Sequence, residues 1–229
     1  MRLDKFLSDN SPYSRSQIKK LIKDKRVTVA GEVCTSGAIK CVSDTSCICI
    51  DGERIQAKQP RYILLNKPKH YICSRVDESL PSVLRLLPVD FSDVNIVGRL
   101  DADTTGLLLL TDDGQWLHRV INPNHSHGKT YLVTVDQQIS ELQLHPMTEG
   151  IVLRGETTPT TPAKIHCINA TQFLLTIYEG KYHQVKRMCA ALGFHVVALH
   201  RTAIGGITLP EGLAEGEWCH LSDQQISLF

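Results

Sequence analysis

The chain has 229 residues, 42% hydrophobic and 21% charged, an ordinary balance for a globular protein that excludes disorder along its whole length. Its longest aliphatic run, Leu107 to Leu110, falls far short of the roughly 20 residues a membrane-spanning helix needs. Met1-Arg2-Leu3-Asp4-Lys5 lacks the apolar core of a signal peptide, so a soluble, cytoplasmic protein with no membrane partner is expected. The net charge is only +1, yet residues 1–58 hold 11 Lys/Arg against 7 Asp/Glu and residues 59–229 hold 14 against 17. That asymmetry divides the chain into a basic module, 1–58, and a near-neutral one, 59–229.

Leu3, Phe6 and Leu7 repeat at i, i+3, i+4 and predict a first helix, broken by Ser8-Asp9-Asn10-Ser11-Pro12. Ser14-Arg15-Ser16-Gln17 fits a capping box that starts a second helix, with Ile18, Leu21 and Ile22 as its buried stripe. Arg15, Lys19, Lys23 and Arg26 would then lie within about 80° of one another on that helix. By itself such a stripe is equally a solvated face. Val27-Val29, the turn Ala30-Gly31 and Glu32-Val33 read as a hairpin. Cys47-Ile50 before Asp51-Gly52 reads as another strand and turn, and polar Glu53 to Pro60 as a linker.

The second module predicts strands at 61–65, 94–97, 107–110, 130–135, 163–167, 173–178 and 196–199, and helices at 113–121 and 183–192. Many strands, few helices and no regular βαβ alternation indicate an α+β fold. The eight cysteines include no C-x-x-C pair, so free buried thiols in a reducing compartment explain them better than a metal site. Cys47 and Cys49 would share one face of their strand.

Four stretches carry chemistry-bearing residues. Gly98-Arg99-Leu100-Asp101-Ala102-Asp103-Thr104-Thr105-Gly106-Leu107 is a polar loop between apolar strands, the kind of scaffolded loop where catalytic groups concentrate. Asp101 and Asp103 read either as paired carboxylates for acid/base work or as side chains that hold a turn. In Tyr178 to Met188, a strand ends, Gly180 turns, and a helix begins that carries Lys186 and Arg187. That helix offers either a basic face or a countercharge for a buried carboxylate. Asn66-Lys67-Pro68 is a strand end with a proline turn. Lys129-Thr130-Tyr131 enters a strand with an aromatic that fits a core or a base-stacking role. His125-Ser126-His127 reads as loop, for no third metal ligand has suitable spacing.

Together and in order, Asn66-Lys67-Pro68, Gly98-Arg99-Leu100-Asp101 with Thr104-Thr105-Gly106-Leu107, Lys129-Thr130-Tyr131, and Glu179-Gly180 with His183-Gln184-Val185-Lys186-Arg187-Met188 resemble the RsuA family of pseudouridine synthases. Arg2-Leu3-Asp4-Lys5-Phe6-Leu7 and the basic helix through Gly31 are similar to an S4 RNA-binding domain. The resemblance covers essentially the whole chain. It implies a small N-terminal S4-like domain (1–58) joined to a synthase catalytic domain (59–229) built on a mixed or antiparallel sheet with flanking helices.

By that resemblance Asp101 matches the catalytic aspartate. Arg99 matches an arginine that holds the target nucleotide out of its helix, and Tyr131 a tyrosine that stacks on the base. Lys186 matches the cation paired with the aspartate, and Ile177 an aliphatic position beside the site. Asp103 is left to shape the loop. Arg2, Arg15, Lys19, Lys23 and Arg26 would bind RNA phosphates, which fix register rather than sequence.

The implied reaction is isomerisation of one uridine of 16S rRNA, uridine 516 by the same resemblance. It would be performed by a monomer on a small-subunit assembly particle, with no metal and no organic cofactor. A non-catalytic rRNA-binding or assembly factor, a related synthase acting on 23S rRNA, and a metal-dependent hydrolase using Asp101, Asp103, His125 and His127 are the competing readings. One departure from the family pattern is visible. Two positions after Pro68 the family usually carries glycine, a residue that often marks positive φ, and this chain has His70.

Overall fold

A computed structural model describes residues 1–40 and 47–229; Cys41 lies outside these residues. The chain divides into two compact units, Met1–Gln59 and Pro60–Phe229.

In the first unit, α1 (Leu3–Asn10) and α2 (Arg15–Lys23) precede β1 (Val27–Val29), β2 (Glu32–Val33), β3 (Ile48–Ile50) and β4 (Glu53–Arg54). The four strands form an antiparallel sheet in the order β2-β1-β3-β4. Leu3, Phe6 and Leu7 of α1 pack with Ile18, Leu21 and Ile22 of α2 and with Val27, Ile48 and Ile50 in one apolar cluster. The Ser14–Gln17 capping box forms as its sequence indicates. Three expectations are corrected. First, α1 runs on through Asn10, because the Asn10 amide and Ser11 hydroxyl donate back to the Phe6 and Leu7 carbonyls and satisfy its last turn. Second, Glu53–Arg54 pairs with β3 rather than belonging to a linker. Third, Arg26 lies off the helix: Lys25 adopts φ +60°, and the Arg26 and Lys25 amides donate to the Leu21 and Ile22 carbonyls. This left-handed cap stops α2 short of Arg26.

The second unit contains β5 (Tyr62–Lys67), β6 (Asn95–Val97), β7 (Thr105–Thr111), α3 (Gly114–Ile121), β8 (Lys129–Val135), α4 (Glu141–Leu144), α5 (Pro146–Glu149), β9 (Lys164–Asn169), β10 (Gln172–Ile177), α6 (Gln184–Ala191), β11 (Val196–Ile204), β12 (Ile207–Thr208), β13 (Trp218–His220) and α7 (Asp223–Ile226). A mixed sheet runs β13-β5-β7-β11-β8-β10-β9, with β6 added to β7 and β12 to β11. Only the β7–β11 pairing is parallel. The run Leu107–Leu110 is buried on both faces, which explains why it is continuously apolar rather than alternating. Leu107 and Leu109 pack toward Trp116 of α3, while Leu108 and Leu110 pack with Ile63, Val83 and Val94.

Gly106 sets how closely the central strands approach. Its φ is +103°, and a Cβ there would sit 2.3 Å from the Arg201 carbonyl oxygen. The obstacle is backbone, which cannot yield as a flexible side chain would, so any larger residue would push β7 from β11. The sequence pattern ends β11 at Leu199, but the strand continues to Ile204 through His200, Arg201 and Thr202. Those polar residues find partners on the neighbouring strands: the His200 Nδ1 and Thr105 Oγ1 atoms lie 2.7 Å apart, Arg201 Nε donates to the Leu107 carbonyl at 2.8 Å, and the Thr202 hydroxyl donates to the Thr130 carbonyl of β8 at 3.2 Å.

The described cysteines are all free thiols. Cys34 and Cys189 are buried, and burial pushes the Cys189 thiol up to about 12. Cys47 is exposed and precedes β3, so the expectation of a buried strand pair fails there. No helix among the described residues is long and apolar enough to cross a membrane.

Candidate active site

The Gly98–Thr104 loop emerges from β6 and returns into β7. Two groups outside the loop hold its backbone. Lys67, at the end of β5, is fully buried, and its ammonium donates to the carbonyls of Pro68 (3.0 Å), Ala102 (3.4 Å) and Thr104 (2.8 Å). Burial lowers its pKa; Cys73 and the Asp103 and Asp101 carboxylates pull the other way without reversing the shift. The His70 amide donates to the Ala102 carbonyl at 2.8 Å from a residue at φ +66°. The turn therefore has the left-handed conformation that glycine would favour, and histidine bears its strain. Inside the loop the Thr104 amide closes a turn onto the Asp101 carbonyl at 3.1 Å. The Leu100 amide donates to the Cys73 thiol at 3.3 Å, drawing Leu100 into the core.

These constraints project Asp101 beside the start of α6. Lys186 Nζ lies 3.5 Å from Asp101 Oδ2, but it sits closer to Asp103, at 2.6 and 2.8 Å from its two oxygens. Asp103 thus shares the cation rather than merely shaping the loop. Burial raises the Asp103 carboxyl, but the Lys186 hydrogen bond and charge outweigh it and hold the group below its ordinary range. The second neighbour of Asp101 is His183, with Nε2 3.4 Å from Oδ1. His183 precedes α6 at φ +47° and stacks on the Tyr182 ring with centroids 3.9 Å apart.

The α6 entrance is braced from behind. Gln184 accepts from the Lys181 amide and donates to Glu179, which accepts from the Thr161 amide. Arg187 turns away from Asp101, binding Glu156 at 2.8 Å and the Tyr182 and Arg154 carbonyls. Lys181 also binds Glu156.

Asp101, Arg99, Tyr131, Ile177 and Lys186 all line one cavity of about 700 Å³, within the usual size range of small-molecule sites. Arg99 is exposed, with no acidic partner among the described residues. Tyr131 is only 7% exposed, so it is at once part of the core and part of the cavity wall. Lys129, Thr104 and Arg201 also face this space; sequence reading assigned none of them a role.

The expected phosphate-binding residues belong to the other unit. Arg2 and Arg15 both bind the buried Asp4 carboxylate, at 3.0 and 3.2 Å. The Arg2 hydrogen bond, and secondarily Arg15, hold that carboxyl well below its ordinary range against the opposing effect of burial. Arg26 pairs with Asp51 at 2.6 Å. Lys19 and Lys23 are exposed on α2 and have no acidic partner within 4 Å among the described residues. The basic stripe is therefore less uniform than its spacing indicated.

Replacing Lys67 by methionine would keep the buried stem but strip three carbonyls of their donor. We expect Lys67→Met to lose about 2–4 kcal/mol of stability, measured as a lower urea midpoint with an unchanged slope.

Residues 61–191 match the family model described as RNA pseudouridylate synthase, and residues 1–44 match the S4 domain model. The chain is 47% identical over 231 residues to the ribosomal small subunit pseudouridine synthase A of Pasteurella multocida, covering 100% of this chain and 99% of that protein. It is 46% identical over 230 residues to the protein of that name in Escherichia coli strain K12, covering 99% of each. A solved structure described as a crystal structure of pseudouridylate synthase aligns over 100% of both chains, with a TM-score of 0.73 and 42% identity. By its sequence and its fold, the chain belongs to the RNA pseudouridylate synthases, enzymes that isomerise uridine, and carries an S4 domain at its N-terminus.

Proposed function

We propose that the protein isomerises one uridine of 16S ribosomal RNA, with Asp101 as the catalytic carboxylate. The observation that carries this reading is a carboxylate on a rigidly anchored loop, flanked by Lys186 and His183, in a cavity that also contains Tyr131 and Arg99. The reaction breaks the N-glycosidic bond, turns the uracil and joins its C5 to the same ribose. It is redox-neutral and releases no fragment, so a carboxylate positioned in a cavity matches its demands. To reach such a pocket the uridine must leave its stack, at a cost of a few kcal/mol. Tyr131 offers a ring for the displaced base, Arg99 an exposed cation on the cavity lining, and Ile177 an apolar wall.

The curated relatives named for the ribosomal small subunit support 16S rRNA as the target. The resemblance of the motifs extends that to uridine 516, in an assembling small-subunit particle in the cytoplasm and with a monomeric enzyme. In this reading residues 1–58 bind RNA and residues 59–229 catalyse. Arg2, Arg15, Lys19, Lys23 and Arg26 make the phosphate contacts, with Lys19 and Lys23 contributing most because among the described residues no carboxylate pairs with them.

Two outcomes are expected. Mapping pseudouridine in 16S rRNA from cells lacking the gene should show one site lost, restored by the wild-type gene and not by Asp101→Asn. Purified Asp101→Asn should bind the RNA nearly as wild type does. Restoration by Asp101→Asn would remove the catalytic assignment. For the RNA-binding unit, Lys19→Gln with Lys23→Gln should flatten the dependence of log affinity on log salt by about 1.5 units. An unchanged slope would remove those lysines from the phosphate contacts.

A further inference from the structure

Arg201 is a buried cation whose hydrogen bonding is incomplete. It is 2% exposed. Its Nε donates to the Leu107 carbonyl, while its Nη2 is buried with no hydrogen-bond partner. No carboxylate lies within 4 Å of it among the described residues. A buried guanidinium in that state is costly, and a native structure retains such a group when something else completes its bonding.

The fold indicates where that partner would sit. In the β8–β11 ladder Arg201 stands directly opposite Tyr131, so the two side chains share a face of the sheet. Both line the cavity that holds Asp101. Thr104 lines the same cavity, is 1% exposed, and its hydroxyl likewise lacks a partner. Lys129, on the same wall, adds a second cation without a carboxylate, its pKa lowered by burial and then by the charge of Arg201. Lys129 Nζ donates to the His127 carbonyl at 3.2 Å, but among the described residues no carboxylate neutralises Arg201 or Lys129, and Arg201 Nη2 and the Thr104 hydroxyl keep no hydrogen-bond partner.

We propose that Arg201 is a substrate-contacting residue that donates to a carbonyl oxygen of the uracil stacked at Tyr131 and stabilises the negative charge the base acquires when it is detached. This inference rests on the reading of the cavity as the uridine site. When the C1′–N1 bond breaks, its electron pair stays with the uracil and spreads onto the carbonyl oxygens. The base then turns, an electron pair at C5 forms the C5–C1′ bond, the C5 proton leaves and N1 gains one, so the overall change is an isomerisation. A fixed guanidinium at a carbonyl oxygen binds more strongly as that charge develops, which is the condition for lowering the barrier. The contact also keeps the base from leaving once the covalent link is cut. Thr104, from the side of the Asp101 loop, completes the same polar edge.

The test uses three 16S rRNA transcripts, assembled with small-subunit ribosomal proteins and carrying uridine, 2-thiouridine or 4-thiouridine at the target position, since sulfur is a poor acceptor of the arginine hydrogen bond. Single-turnover rates at saturating enzyme are compared for wild type and Arg201→Gln. Wild type is expected to lose about 10- to 100-fold with one of the two thio substrates, the cost of a charged hydrogen bond. In Arg201→Gln the uridine rate falls and that thio penalty disappears. If Arg201→Gln does not fold, Arg201→Lys takes its place. Equal wild-type rates on all three transcripts overturn the proposal whatever the variants do, as does an undiminished thio penalty in a folded variant. A wild-type enzyme that leaves the uridine transcript unchanged overturns the proposed target as well, which separates that failure from a failure of Arg201 alone.

Discussion

One buried ammonium group fixes the geometry on which the site depends. Lys67 ends a core strand, and its three donors reach three carbonyls, two of them in the loop that carries Asp101. A loop of mixed polar residues between two apolar strands has no ladder to define it, and without such bonds its carbonyls would turn toward solvent. Here the carbonyls of Ala102 and Thr104 are drawn inward and the side chain of Asp101 is left facing the cavity. Burial works against the lysine's charge, yet the carbonyl dipoles around it supply the solvation that water would have given.

Around this anchor the site balances charges unevenly. Lys186 is shared between two carboxylates and lies nearer to Asp103 than to Asp101, so Asp101 remains the less neutralised of the pair. His183 approaches from the other side. Two histidines at positive φ, His70 and His183, sit at the contacts between the loop and its neighbours. A left-handed conformation costs a non-glycine residue about 1–2 kcal/mol, and both are held there by surrounding hydrogen bonds. Strain at these two positions, next to Asp101, is stored in the scaffold rather than in the loop itself.

Much of the architecture was legible from local pattern. The four leucines of β7, the capping box at Ser14 and the helix carrying Lys186 depend on short-range signals, and each forms where its residues indicate. The elements that escaped depend on distant partners. β13 has three residues, no clear alternation, and exists because β5 offers an edge to a segment some 150 positions later. β11 extends past Leu199 because β7 supplies partners for His200 and Arg201, a tertiary effect that no window of sequence contains. The same holds at the site. Asp101 and Lys186 could be paired from motif, but the greater proximity of Lys186 to Asp103, the approach of His183 and the bonding deficit of Arg201 arise only when loop, helix and sheet are brought together. His70 is the instructive middle case: the departure from glycine was visible in the sequence, and the structure shows the strained turn it occupies.

In the proposed function, the Lys67 anchor sets the position of Asp101 for chemistry. That role is tested most directly by single-turnover release of tritium from C5 of the target uridine, comparing wild type with folded Lys67→Met at saturating enzyme. A rate about 100-fold lower is expected, the cost of a displacement on the order of 1 Å in a catalytic group, with RNA affinity close to wild type. Tritium release at the wild-type rate from the folded variant would contradict it.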